Sequence, residues 1–291
     1  MEPVKFRISS FADFIEKISD YPSHRGVAWI YRGQANKKWK LVPKAGRPEY
    51  RDVLDDQNDL FRFRYWKTQA IAFGNLPYNE WELLGIAQHH GLATRLLDWT
   101  SNPLISLFFA VESEQSSDGV FVCYRPLKRI NEFSDKFEGD NINNARYLPR
   151  AISSRLISQR AIFTYHSSPS IPIEAEELFD TKKSNLLIFT IPSEIKDDIL
   201  HKLDTLGINY YSLFPDLDGL SKYVDWVMKD DARKDEILEA NRLQQAYEDY
   251  KSSIEREQSG FLDEDMENWD PGEPPDFLND PNFPKNENQS F

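Results

Sequence analysis

Residues 88–110, with the sequence QHHGLATRLLDWTSNPLISLFFA, place dense polar chemistry directly before an apolar run. The first thirteen of these residues include two His, one Arg, one Asp, one Trp and two Thr. A solvated loop does not need the apolar residues, and a core segment does not tolerate the polar ones unless they have hydrogen-bond partners. The stretch is therefore predicted to form a structured turn between two packed elements, with side chains directed into a cleft.

Helices are predicted on both sides of this turn. Asn79 is suited to cap the preceding helix, with Glu82 completing a capping box, and Gly91 suits the left-handed position after the last turn. Residues 92–99 are predicted to be extended. Pro103 favours the first turn of the next helix, because its missing N–H is not needed there.

The rest of the chain mixes predicted strands and helices without regular alternation. Apolar runs predict strands at residues 27–31, 119–124, 161–165 and 186–191, with a short strand or extended piece at 39–43. Periodic apolar positions predict helices at 11–18, 55–73 and 150–159, a helix capped by Ser193 and ended by Gly207, and a strand, turn and short helix over 208–224. This order is typical of an α+β fold, and we predict a mixed or antiparallel β core flanked by helices.

Charge and composition divide the chain into three predicted parts. The 291 residues carry a net charge of −13, and residues 259–291 hold nine acidic groups against one Lys. An acidic chain is poorly suited to general nucleic-acid binding, although a local basic pocket could hold a nucleotide. We predict a single globular domain at 1–226, a peripheral charged C-terminal helix at 227–258 and a disordered acidic tail at 259–291.

The number of cysteines and the length of the apolar runs indicate the cellular compartment. The single cysteine, Cys123, lies in an apolar run and is expected to be buried and inert. One cysteine allows no internal disulfide, which favours a reducing compartment. The first residues lack the apolar core of a signal peptide, and no apolar run approaches the ~20 residues of a membrane span. These features predict a cytoplasmic protein without membrane contact.

Several motifs resemble the FRG domain family. The resemblance begins at Tyr31-Arg32-Gly33-Gln34 and continues through residues 88–91 and 94–100. It extends over roughly residues 11–224, and the further matching positions are Trp39, Leu41, Pro43, Asn102, Pro103, Phe109, Ala110, Gln159, Phe163, Thr164 and 213–220. Two positions depart from the family pattern: Ala93 stands where Pro is usual, and Ala161 stands where Gly is usual.

This resemblance implies both a fold and a function. FRG domains occur mainly in bacteria and phages and are associated with phage–host conflict, and their motif order is similar to that of ADP-ribosyltransferases, which use NAD. By that similarity Arg32 would contact the NAD diphosphate, and Thr100 or Ser101 would support the nicotinamide side. Gln159 falls where many transferases have Glu, and an amide can neither act as a base nor hold negative charge against an oxocarbenium-like centre.

The candidate site residues follow from these motifs. The candidate catalytic residues are Arg32, His90 and Gln159, and the candidate NAD-binding residues are Arg32, Gly33, Gln34, Gln88, Arg95, Asp98 and Thr100. Arg32 suits a diphosphate because a guanidinium offers paired donors and Gly33 allows close approach. His89 and His90 are adjacent, so a helix would point them about 100° apart, and no metal site is expected.

Structural alternatives exist for the same residues. Arg32 could pair with a carboxylate such as Asp98, either Arg95 or Asp98 could form an internal brace, and Thr100 could cap the following helix. The two amides Gln34 and Gln159 could simply bond to backbone in the core. Each alternative predicts a side chain whose polar atoms are used within the protein.

Two functions from different classes remain open on the sequence. One is an ADP-ribosyltransferase-like effector that binds NAD and modifies a cellular target. The other is a non-catalytic module that senses a nucleotide or holds a protein partner, with the charged C-terminal segments engaging that partner. A third interpretation is a buried polar network without a ligand, in which case Arg32→Ala would only destabilise the fold.

Overall fold

The computed structural model describes residues 2–24, 27–50, 58–74, 76–77, 79–132, 135, 142–150, 153–176, 178 and 183–258. The chain divides into two compact units, Met1–Leu220 and Ser221–Phe291. The first unit contains all the candidate site residues. Among the described residues, none of the helices combines the length and apolar character needed to cross a bilayer.

The first unit is built on a mixed β-sheet. The described strands are β1 (Val4–Arg7), β2 (Ser23–His24), β3 (Val27–Ala28), β4 (Ile30–Gln34), β5 (Leu96–Thr100), β6 (Gly119–Tyr124), β7 (Ala145–Tyr147), β8 (Ala161–Tyr165) and β9 (Leu186–Ile191). Seven of these described strands form one sheet in the order β1-β9-β6-β4-β5-β8-β7, and β2 pairs with β3 separately. The β1–β9 pair is parallel and the other pairs of the large sheet are antiparallel, which confirms the predicted α+β fold with a mixed sheet.

Helices flank this sheet. The described α-helices are α1 (Phe11–Ile18), α2 (Asn58–Ala70), α3 (Glu80–His89), α4 (Pro103–Val111), α5 (Ser154–Ser158), α6 (Lys196–Thr205), α7 (Tyr210–Leu213) and α8 (Leu217–Gln258). The predicted cap Asn79 is confirmed, since it accepts from backbone N–H groups in the first turn of α3. Ser10 and Asn102 cap α1 and α4 in the same way, and Asn102 takes the place offered to Thr100. Gly91 has φ +92° after α3, as predicted.

The sheet is buried on both faces. On one face, which we call the α4 face, Tyr31 and Phe189 pack against Phe121, and Phe14 of α1 meets the same ring edge-on. The opposite face, which we call the Trp99 face, carries a cluster that includes Ile30, Leu97, Trp99, Val122, Tyr124 and Ile162. Burial on both faces explains why β6 is a continuous apolar run with all six residues buried.

The two central strands β4 and β5 are joined at a single described pair, Tyr31 with Thr100. By contrast, every residue of β4 pairs with β6, and every residue of β5 pairs with β8. The helix α4 packs against β4, β5 and β6. The sheet therefore consists of two blocks, β1-β9-β6-β4 and β5-β8-β7, which meet at this residue pair and are both covered by α4. This joint lies next to Arg32.

Four local predictions were wrong. The strand predicted at 27–31 is divided, and β4 continues through Arg32-Gly33-Gln34 because β6 pairs with these residues. Residues 39–43 form bends and irregular backbone, so the short strand predicted there is wrong. Ser193 starts a 3-10 turn and does not cap α6, because this turn separates it from the helix, which begins at Lys196 without a side-chain cap. Residues 208–224 contain no strand, since Asn209 and Ser212 form a capping box that begins α7.

Two predictions extend past the described residues. The start of the helix predicted at 55–73 lies outside them, as does part of the 150–159 helix. The charged segment 227–258 is helical as predicted, but it continues α8, which begins at Leu217. Residues 259–291 lie outside the described range, so the disordered tail stays a prediction.

Candidate functional site

Arg32 lies at the joint between the two blocks of the sheet. Its side chain is 15% exposed, and its Nη1 donates to the backbone oxygen of Asp98 at 2.7 Å. The nearest oxygen of the Asp98 carboxylate is 4.0 Å from the same nitrogen. Burial lowers the pKa of Arg32, the charge of Asp98 opposes that shift, and the charge of Arg47 adds to it. The guanidinium is therefore held by a carbonyl and only weakly compensated by the nearby carboxylate.

Gly33 is required by helix packing. A Cβ at this position would stand 1.9 Å from the backbone oxygen of Ser106 and 2.6 Å from the nitrogen of Ala110, both in α4. Glycine thus lets α4 lie directly on β4. Its neighbour Gln34 is buried and donates at 3.4 Å to the carbonyl of Lys40, so this amide bonds to backbone.

Asp98 presents an open carboxylate beside Arg32. Its side chain is 62% exposed, although the other four residues of β5 are buried. The amide nitrogen of Gln88 donates to Asp98 Oδ1 at 2.6 Å, and the oxygen of the same amide accepts from the hydroxyl of Thr94. The end of α3 is thereby tied to β5, and one side of the carboxylate remains available to a ligand.

Arg95 is used inside the fold. Its Nε and Nη2 donate to the two carboxylate oxygens of Asp59 at 2.8 and 2.7 Å, and its side chain is 2% exposed. Its Nη1 also lies 3.2 Å from the oxygen of Ser167 and 3.4 Å from the hydroxyl of Tyr165. The structure therefore shows Arg95 in an internal brace with Asp59, which was the structural alternative to a role in ligand binding. It links α2 to the start of β5.

The sequence model of the FRG domain matches residues 27–119. Over these residues the chain is similar to the FRG domain. The match covers about one third of the chain and runs from β3 to the first residue of β6. It contains Arg32, Gly33, Gln34, Gln88, His90, Arg95, Asp98 and Thr100, whereas Gln159 lies outside it. The chain matches no curated protein and no solved structure significantly.

The side chains of Thr100 and Gln159 both bond to backbone groups. Thr100 accepts at 3.0 Å from the N–H of Asn102, and the side chain of Asn102 is the cap of α4. Gln159 ends α5 and donates to the carbonyl of Leu213 at 3.2 Å, which ties α5 to α7. The amide of Gln159 is therefore engaged with α7 in this structure.

The two neighbouring histidines, His89 and His90, differ in exposure. His90 is exposed, and His89 is half-buried with its ring centre 5.1 Å from that of His90. Burial lowers the pKa of His89, and the nearby His90 and Arg155 lower it further. Among the described residues, no group of three or more His, Cys, Asp or Glu is arranged to hold a metal ion.

His166 was not among the sequence candidates. It follows β8, is completely buried, and its Nε2 lies 2.9 Å from the hydroxyl oxygen of Thr164. The indole N–H of Trp99 donates to that same oxygen at 2.8 Å. Burial, reinforced by the charges of Arg32 and then Arg95, lowers the pKa of His166 to about 3. The signal in the sequence was the alternation of Thr164 and His166 on one face of a strand.

His166 should make the protein sensitive to mild acid. The unfolded chain takes up this proton near pH 6.5, whereas the folded protein resists it until about pH 3. Its contribution to stability is therefore fully present above pH 6.5 and is lost progressively as the pH falls towards 3. We expect wild type to lose about 1 kcal/mol more unfolding free energy than His166→Asn between pH 7 and 5.5, measured by urea denaturation. Equal losses in the two proteins would contradict the assignment.

A separate cavity lies away from the predicted site residues. It has a volume of about 290 Å³ and is lined by Ile130, Asn131, Glu132, Tyr147 and Leu148. The hydroxyl of Tyr147 and one carboxylate oxygen of Glu132 are buried without a partner among the described residues. Ordered water in this cavity would satisfy both atoms.

Proposed function

We propose that the cleft beside Arg32 binds NAD or a related nucleotide. The observation that carries this proposal is the joint between β4 and β5, where a largely buried guanidinium stands beside an exposed carboxylate. Arg32 suits the diphosphate, because a charged planar donor binds phosphate oxygens strongly. Asp98, held by Gln88, suits the ribose, because a carboxylate accepts hydrogen bonds from sugar hydroxyls.

The bound nucleotide would be used for transfer of ADP-ribose to a protein target, in the setting of phage–host conflict. In this proposal His90 and Thr100 line the nicotinamide ribose, and Gln159 orients a ribose or acceptor hydroxyl. His90 is exposed and can reach a ligand without rearrangement of the core.

The second candidate function is a nucleotide sensor or protein-interaction module without turnover. The observation that favours it is the amide at Gln159, which donates to Leu213 and carries no charge. Such a group neither stabilises an oxocarbenium-like centre nor accepts a proton. The same cleft would then bind a nucleotide and transmit its presence to a partner.

Thermal unfolding with and without NAD tests the proposal. Wild type is expected to gain about 2.7 kcal/mol of stability at an NAD concentration 100 times the dissociation constant. Arg32→Ala should bind NAD roughly 10- to 100-fold more weakly, because a charge-assisted hydrogen bond contributes about 1.5–3 kcal/mol. Arg242→Ala removes an arginine that is 82% exposed on α8 and should leave NAD binding unchanged.

Nicotinamide release in the same samples separates the two candidate functions. Release that depends on Arg32 indicates a transferase or hydrolase, whereas binding without release indicates a sensor. The absence of any stabilisation of wild type at millimolar NAD would refute the NAD proposal, and circular dichroism of Arg32→Ala shows whether that variant is folded.

A further inference from the structure

Two buried side-chain nitrogens on the same side of the sheet lack a hydrogen-bond partner among the described residues. Arg32 Nε is buried and has no hydrogen-bond partner among the described residues. His166 Nδ1 is buried and equally without a partner there, and the whole residue is 0% exposed. Unpaired buried polar atoms are rare in folded proteins, and each one calls for a water, an ion or a ligand group.

The hydrogen bonds of Thr164 determine which nitrogen of His166 carries the proton. The indole N–H of Trp99 is a donor only, so it must donate to Thr164 Oγ1. The hydroxyl proton of Thr164 then points to its other described contact, Nε2 of His166 at 2.9 Å. The arrangement that uses this hydroxyl proton makes Nε2 the acceptor and places the ring proton on Nδ1, whereas an Nε2–H ring would leave both the hydroxyl proton and Nδ1 without a described partner. The unpaired Nδ1 is a donor.

Both unpaired donors belong to the same face of the sheet. Arg32 pairs with Val122, and Thr164 pairs with Leu97, so all four residues lie on the Trp99 face. His166 follows Thr164 by two residues, and its Nε2 contacts the Thr164 hydroxyl oxygen. Arg32 and His166 are close enough for the charge of the first to lower the pKa of the second. The positive charge of Arg47 also lowers the pKa of Arg32, and the Asp98 carboxylate, 4.0 Å from Arg32 Nη1, opposes that shift.

We infer that an oxyanion, such as a phosphate oxygen, binds beside Arg32 and accepts hydrogen bonds from Arg32 Nε and His166 Nδ1. His166, which is more deeply buried than Arg32, is then a residue of the cleft that binds the oxyanion. Trp99 and Thr164 position it, because their hydrogen bonds favour the Nδ1–H tautomer. An anion fits this position better than a neutral acceptor because it would meet two donors and the weakly compensated charge of Arg32. The inference rests on the proposed function in placing a phosphate at Arg32.

The first test uses wild type alone. Histidine labelled with nitrogen-15 should show His166 as the Nδ1–H tautomer, and titration with inorganic pyrophosphate should shift that nitrogen. An Nε2–H tautomer, or an Nδ1 signal that is unaffected by saturating pyrophosphate, would overturn the inference. This measurement does not depend on whether any variant folds.

The second test measures pyrophosphate and NAD affinity by calorimetry in matched variants. His166→Leu removes both ring nitrogens and should weaken pyrophosphate binding about tenfold. His166→Asn keeps an N–H donor near the position of Nδ1 and should recover part of that loss. Equal affinity of wild type and folded His166→Leu would mean that water fills the position, which overturns the inference.

The outcomes also separate this inference from the proposed function. Pyrophosphate binding that depends on His166, without NAD binding, would support the oxyanion site and refute the nucleotide proposal. NAD binding that depends on Arg32 but not on His166 would leave the proposed function in place and overturn the inference. Failure of wild type to bind either compound would overturn both.

Discussion

Gly33→Ala is expected to lower the free energy of unfolding by about 3 kcal/mol, as overpacking of a tight contact does. The added methyl group would stand 1.9 Å from the backbone oxygen of Ser106, and a backbone atom cannot rotate away as a side chain can. The helix α4 would have to move off β4. Because α4 also packs on β5 and β6, that movement would disturb both blocks of the sheet. Chemical denaturation followed by circular dichroism measures the loss.

Gly85→Ala is the matched control for this substitution. Gly85 is also buried, in α3, but a Cβ there would meet only a ring carbon of Phe163 at 3.7 Å, an ordinary contact. Alanine is the better helix former, so this variant should be unchanged or more stable by up to about 1 kcal/mol. Comparable destabilisation of the two variants would show that the close approach of α4 to Gly33 is not the cause.

Asp59→Ala is expected to cost about 3–5 kcal/mol of unfolding free energy, because it leaves the buried Arg95 guanidinium without its carboxylate. Two of the hydrogen bonds that hold Arg95 would be lost together. The double replacement Asp59→Leu with Arg95→Met removes both charges and should be less destabilising than Asp59→Ala alone. Urea denaturation of the three proteins measures this difference.

An exposed ion pair supplies the comparison for Asp59. Lys202 and Asp198 form an i,i+4 pair at 2.7 Å in α6, with side chains 48% and 53% exposed. Asp198→Ala should change the unfolding free energy by no more than about 1 kcal/mol. If Asp59→Ala were equally mild, the interior around Arg95 would have to admit water, and the brace would not be a determinant of the fold.

The features that the sequence predicted well are those determined by neighbouring residues. The cap Asn79 bonds to backbone N–H groups two and three positions away, so local spacing is sufficient to find it. The apolar run of β6 likewise indicates a central strand wherever the rest of the chain lies. Strand ends are different, because pairing with β6 extends β4 through Gln34.

The features that the sequence left open depend on distant partners. Arg95 could have served a ligand or the fold, and its use was decided by Asp59, which is 36 residues earlier in the chain. A clue was present, since Asp59 lies on the buried face of α2 with Phe63 and Ala70. The role of Gly33 depends on the path of α4 across β4, which no local pattern predicts.

The pairing of β1 with β9 has a consequence for synthesis on the ribosome. Val4 pairs with Leu187, so at about 5–20 residues per second β1 is made roughly 10–40 s before its partner strand. An unpaired strand is prone to associate with other nascent chains, and charged residues at alternate positions reduce that risk. In β1, Lys5 and Arg7 are exposed, while Phe6 between them later stacks on Phe189. The same alternation protects β1 during translation and as an edge of the finished sheet.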